Sequence, residues 1–133
     1  MKITQECDYA IRIMVTLANL DKGQVIDAGS ISNMRNIPSR FTVKILRKLV
    51  LSGLISSKKG ANGGYSLKDK SQNITLLSIV EVIDGPIAVN KCVGGENRCS
   101  YTEKAVCSMH NIMMEINNHI REKLESVTLD RLC

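Results

Sequence analysis

Aromatic residues are scarce: the 133-residue chain has one Phe, three Tyr and no Trp. Leu, Ile, Val and Met must therefore fill the interior, and their spacing reports the elements directly. No apolar run approaches the roughly 18 residues that a membrane span requires. Glu6, Asp8 and Arg12 interrupt the stretch where a signal-peptide core would lie, so a cytoplasmic protein with no membrane partner is expected. Internal repeats and low-complexity segments are absent as well. The five cysteines are an odd number, which in a reducing compartment argues against a disulfide framework and for thiolate ligands.

Acidic residues are thin in the first half. Residues 1–70 carry twelve Lys/Arg against five Asp/Glu, a charge of +7, whereas residues 71–133 carry six against eight, a charge of −2. A polyanion partner is expected to meet the first half. A chain of this length buries about two-thirds of its unfolded surface, so a second subunit would help to close the core.

The pattern of elements narrows the partner to duplex DNA. Ala10, Ile13, Met14, Leu17 and Ala18 recur at helical spacing between Cys7 and about Leu20, and Asp21-Lys22-Gly23 ends that helix. Asp27 precedes a short helix carrying Ile31 and Met34; Asn36-Ile37-Pro38-Ser39 breaks the chain, and Ser39 is the expected cap of the next helix. From Arg40 to Ser52 a helical projection puts Phe41, Thr42, Ile45, Leu46 and Leu49 on one side and Arg40, Lys44 and Arg47 opposite, with Lys48 at the edge. A cationic stripe on the second helix of such a pair suits the major groove, where Arg and Lys reach phosphates and guanine edges. Gly53 supplies the stop.

Two short strands, Leu54–Lys59 and Tyr65–Leu67, are expected around Gly60-Ala61-Asn62-Gly63-Gly64, a hairpin turn in which Asn-Gly provides positive φ. A nucleotide-binding glycine loop is excluded, because it needs a strand before it and a helix after it. The hairpin is a candidate wing. Ser39, Arg40, Lys44, Arg47, Lys48, Lys58, Lys59 and Asn62 are the expected DNA-binding residues, with Arg40 and Lys44 at base edges or adjacent phosphates and Arg47, Lys48, Lys58 and Lys59 mainly at phosphate.

Thr75 caps another amphipathic stretch, Leu76 to Ile83, ended by Asp84-Gly85-Pro86. Ser100-Tyr101-Thr102-Glu103 matches a capping box, which places the start of a long helix near Tyr101. Its stripe runs through Ala105, Met109, Ile112, Met113, Ile116, Ile120 and Leu124, more apolar surface than the small head can cover. Met109, Ile112, Met113, Ile116 and Ile120 are therefore the expected homodimer contacts. The fold class that results is mostly α with a small β-hairpin: a winged helix-turn-helix head over 1–85, a metal-binding loop over 86–103, and a dimerisation helix with a C-terminal turn over 104–133.

That loop holds the densest chemistry. Cys92, Cys99 and Cys107 follow one another with gaps of six and seven residues, and His110 stands three residues after the last. On donor chemistry the set suits tetrahedral zinc and an iron-sulfur centre alike. A thiol enzyme pairing Cys107 with His110 would need a pocket and an oxyanion site that nothing in the sequence forms. Neither enzymatic activity nor a small-molecule substrate is expected. Cys7 and Cys133 have no ligand-spaced neighbour, and are read as a packed thiol and an exposed one.

Over essentially its whole length the chain resembles the Rrf-two family of bacterial winged-helix regulators, which includes IscR, NsrR and CymR. The residues that carry the resemblance are Asp8-Tyr9-Ala10 with Arg12, the run from Leu46 into Ser52-Gly53-Leu54-Ile55, the wing Gly60-Ala61-Asn62-Gly63-Gly64-Tyr65, the three cysteines, and Thr128-Leu129-Asp130-Arg131-Leu132. The resemblance implies a homodimeric repressor or activator whose operator binding is controlled by an iron-sulfur cluster. His110 matches the fourth ligand of IscR-like members and favours a 2Fe-2S cluster. Asp8 matches the carboxylate that NsrR-like members supply across the dimer and favours a 4Fe-4S one. A cluster-free, thiol-sensing regulator of the CymR sort and a zinc-binding winged-helix protein are the alternatives. Where the family usually has Arg before the wing glycine this chain has Lys59, which lacks the planar fork and suits phosphate better than a base edge.

Overall fold

The computed structural model describes residues 2–95, 100 and 107–133. Helix α1 (Gln5–Ala18) begins where the Thr4 side chain accepts a hydrogen bond from the Cys7 amide at 3.1 Å, and Glu6 and Asp8 lie in its first turn, where the helix dipole favours negative charge. Asp84 accepts from the Thr4 amide at 3.1 Å and from the Thr4 hydroxyl, fastening the start of α1 to the end of α4 (Leu76–Asp84).

Helix α2 (Ala28–Arg35) starts after Asp27 as expected, and Asp27 caps it, accepting from the Ser30 amide at 3.0 Å and the Ser30 hydroxyl at 2.6 Å. It stops at Asn36, whose φ of 53° is the one positive value at a non-glycine among the described residues. Asn is among the few residues that tolerate this conformation. Buried Ile37 anchors the turn into α3 (Ser39–Ser52). Ser39 is not the cap: Pro38 holds that position, and no side chain caps the helix there. The Ser39 hydroxyl lies 3.4 Å from that of Ser32, which donates to the Ile37 carbonyl, so its polar atom sits toward α2 instead. At the other end Gly53 takes φ 83° and the Leu54 amide reaches back to the Leu49 carbonyl at 3.2 Å.

Strands β1 (Ile55–Lys58) and β2 (Gly64–Leu67) pair antiparallel, with Ile55 opposite Leu67 and Lys58 opposite Gly64. Ile26 exchanges two hydrogen bonds with Tyr65, at 3.1 and 2.8 Å, which stitches the hairpin to the segment entering α2. The turn differs from the one expected. Gly60, at φ 106°, adopts the left-handed conformation rather than Asn62 or Gly63, because the connection from Lys59 to Gly63 is longer than the two-residue turn that Asn-Gly favours. Gly63 is needed for space, since a Cβ there would lie 2.0 Å from the Lys58 carbonyl oxygen.

Ile13, Met14 and Leu17 of α1 meet Ile31, Ile45, Leu46, Leu49, Ile55, Ile79 and Val80 in one core. The 3-10 turn Lys91–Val93 packs on α5 (Ser108–Ser126). The helix start expected near Tyr101, with Ala105, lies outside the described residues. A helix unbroken through Cys107 is ruled out, because Cys107 is extended and caps α5, its sulfur accepting from the His110 amide at 3.4 Å.

The expected single stripe of α5 divides into two faces. Ile120 and Leu124 pack on the chain's own core, and Asn117 is buried with its Oδ1 accepting from the Val89 amide at 3.1 Å. Met109, Ile112 and Ile116 stay exposed, with Met113 half-buried. Arg121 pairs with Glu81 of α4. The chain then returns to the head. Thr128 bridges to Thr75, the Leu76 amide donates to the Val127 carbonyl and the Leu129 amide to the Ile74 carbonyl, both at 2.8 Å, and Leu129 is fully buried against α1. No helix of the described residues is long and apolar enough to cross a membrane.

Candidate nucleic-acid interface and thiol site

Burial on α3 follows the helical projection. Thr42, Ile45, Leu46 and Leu49 are buried; Ser39, Arg40, Lys44 and Arg47 are exposed, and Lys48 is half-buried. Lys58, Lys59 and Asn62 are exposed on the hairpin, which packs against the end of α3. The Arg40 guanidinium stands 5.2 Å from the Phe41 ring centroid, an arrangement that holds the cation on an aromatic face while its donors stay available.

Two members of this surface were not among the expected residues. Val43 is exposed on α3 between Arg40 and Arg47, and an apolar side chain there can meet a thymine methyl in the major groove. The signal for it was its place in the projection, one turn from Arg40. Glu6 reaches from α1 to the lysines of α3, its carboxylate oxygens 2.7 Å from Lys48 Nζ and 3.5 Å from Lys44 Nζ. Hydrogen bonding to Lys48, aided by the charges of both lysines, holds the Glu6 carboxyl below the usual carboxylate range. Nothing in the local sequence marks a pair 38 and 42 positions apart.

The thiol residues gather only in part. Cys92 lies in the turn packed on α5, Cys107 caps that helix, and His110 follows one turn later. His110 Nδ1 is buried and finds no hydrogen-bond partner among the described residues. Cys99 lies outside those residues, and within them no three His, Cys, Asp or Glu side chains come together. Asp8 is engaged elsewhere: its Oδ2 is 2.7 Å from Arg12 and accepts from the Gln5 side-chain Nε2 at 3.1 Å. The donor set of thiolates and imidazole fits an iron-sulfur or zinc centre, and a buried imidazole nitrogen without a partner is what such a ligand would present.

Cys7 is fully buried and Cys133 is exposed, with its thiol donating to the Leu129 carbonyl at 3.4 Å. Desolvation, reinforced by Asp84, Asp8 and Glu6, pushes the Cys7 thiol up from 9.0 to about 12. Its folded pKa lies above the unfolded one, so the associated stability is present below pH 9 and is lost as pH rises towards 12. In native protein at pH 8 to 9, iodoacetamide should leave Cys7 unmodified while denaturant exposes it to full labelling, read by peptide mass spectrometry. Rapid native labelling at Cys7 would contradict this packing.

Comparison with known proteins agrees with the geometry. The family profile described as Rrf2, iron-dependent transcriptional regulator, matches residues 3–133. A helix-turn-helix transcriptional regulator of Mycobacterium tuberculosis is 33% identical over 71% of this chain and 58% of its own length, so the chain spans little more than half of that relative. The regulator IscR of Pectobacterium atrosepticum is 24% identical over 99% of this chain and 79% of its own. The solved structure of CymR, the global cysteine regulator of B. subtilis, superposes with a TM-score of 0.81 at 27% identity, covering 99% of this chain and 95% of that one.

Proposed function

This chain belongs to the Rrf2 family of transcriptional regulators, and we propose that it is a cytoplasmic homodimer that binds an operator in duplex DNA under the control of an iron-sulfur cluster. The observation that carries the reading is the packing of the Cys92 turn on α5, the helix that Cys107 caps and that bears the unpartnered His110 Nδ1. Cys92, Cys99 and Cys107 supply the thiolates. His110 is the fourth ligand in preference to Asp8, because Asp8 would first have to leave Arg12 whereas His110 gives up no bond among the described residues. When bound, the cluster supplies a redox-sensitive, thiolate-held centre at this position.

The chain's own residues then connect that centre to DNA. Asn117 fixes the start of the cysteine loop to α5 through Val89, while Met109, Ile112 and Ile116 form the face open to a second subunit. Two half-sites must lie about one helical turn of DNA apart, or a multiple, for both α3 helices to dock. A cluster bound between the head and α5 would set the separation of those helices, and its loss would change affinity.

Anaerobic purification is expected to give brown protein with matched iron and sulfide. Cys92→Ser and Cys107→Ser should lose the colour, and His110→Ala should shift the visible spectrum while Asp8→Ala leaves it unchanged. A colourless protein holding one zinc per chain would overturn the cluster reading. The likeness to CymR favours one further reading, direct thiol sensing; metal-free protein whose affinity for DNA changes on treatment with peroxide would select it.

A further inference from the structure

We infer that Glu6 is a positioning residue of the DNA-binding surface, one that holds two lysines of the recognition helix in check and thereby limits sequence-independent affinity. The inference rests on the reading of this protein as a DNA-binding regulator. It begins from an asymmetry among the cations. Lys44 and Lys48 share the Glu6 carboxylate, while among the described residues Arg40, Arg47, Lys58 and Lys59 have no carboxylate within 4.0 Å. Glu6 is therefore committed to one pair of lysines, and the choice is geometric. Lys44 and Lys48 are one turn apart on α3 and stand on the edge facing the first turn of α1, where Glu6 projects between them.

Exposure separates the three side chains in a telling way. Glu6 is 21% exposed, Lys48 35% and Lys44 57%. The carboxylate is thus the most sheltered member, and the lysines are the two that can swing outward. Their ion pairs are partly solvated and individually weak, so a phosphate can compete for either ammonium, but each lysine withdrawn leaves the Glu6 charge less compensated beside a polyanion. That opposing charge lowers the number of counterions released when the surface meets DNA. Arg40 and Arg47 bear no such restraint and remain free for phosphate and base edges.

Removing the charge while keeping the shape isolates the effect. Glu6→Gln, assayed by fluorescence anisotropy against a random-sequence duplex, should bind about three- to tenfold more tightly near 0.15 M salt, with a log–log salt slope steeper by about one. Lys48→Ala added to Glu6→Gln should return the slope to the wild-type value, and Glu6→Asp should restore most of the restraint. A purely structural contribution from the ion pair would lower the unfolding midpoint and leave the slope alone, so thermal unfolding is recorded for each variant. Wild-type protein that binds with normal salt dependence, together with a Glu6→Gln slope identical to it, defeats the inference and leaves the regulator reading intact. Wild-type protein with no salt-dependent binding defeats both.

Discussion

Leu129→Ala is expected to cost about 2–5 kcal/mol of unfolding free energy, measured by urea titration. Leu129 stands four residues before the last residue of the sequence given, where truncation to alanine would ordinarily be harmless. Here it is fully buried against α1 and the segment before α4, and its amide donates to the Ile74 carbonyl at 2.8 Å. Alanine keeps that backbone bond but leaves a cavity in the core, and the methylenes lost are among those the chain cannot replace with aromatic bulk. The effect should reach α5, because the Thr75–Thr128 bridge lies next to Leu129. A midpoint within 0.5 kcal/mol of wild type would show that the C-terminal turn does not seal the core.

Gly64→Ala should release the wing. A Cβ at Gly64 would lie 2.6 Å from both the carbonyl carbon and the carbonyl oxygen of Ile26, and 2.9 Å from its nitrogen. These are backbone atoms that cannot rotate away, so the two Ile26–Tyr65 hydrogen bonds must open or β2 must shift. Overpacking of this kind costs about 1–3 kcal/mol. The hairpin carrying Lys58, Lys59 and Asn62 would lose its tether while α3 remains in place, so the loss should appear both in thermal unfolding and in weaker DNA binding with a shallower salt dependence. Gly23→Ala is a suitable control, since that glycine also has positive φ but nothing lies within 4 Å of its added Cβ. Unaltered stability and DNA affinity in Gly64→Ala would refute the tether.

Much of this architecture was legible in the residues, and the gaps have physical causes. Asp27, Thr75 and Gly53 declared their helix boundaries because capping acts over three or four residues of chain. Ser39 misled because Pro38 took the cap position without a side-chain bond, which left Ser39 as the first helical residue. Periodicity marked α5 as apolar but could not divide it. Ile120 and Leu124 face inward where that half of α5 packs on α4, a contact between elements some 40 positions apart. The link between Glu6 and α3 was hidden for the same reason, since ion pairs between elements leave no local spacing. At the thiol site the donors were plain in the sequence, whereas the burial of His110 Nδ1 and the ion pair of Asp8 needed coordinates.

The anchoring of α5 has a mechanical meaning. Among the described residues Ile120, Leu124 and the Arg121–Glu81 pair clamp its far half to the head, while Met109, Ile112 and Ile116 of the near half are exposed. From Cys107 to the clamp is about 20 Å of unbroken helix at 1.5 Å per residue. Such a rod has no joint in which to dissipate a tilt, so a few degrees imposed at its thiol tip would arrive at the head as torque, and the head would turn as one piece with the rod.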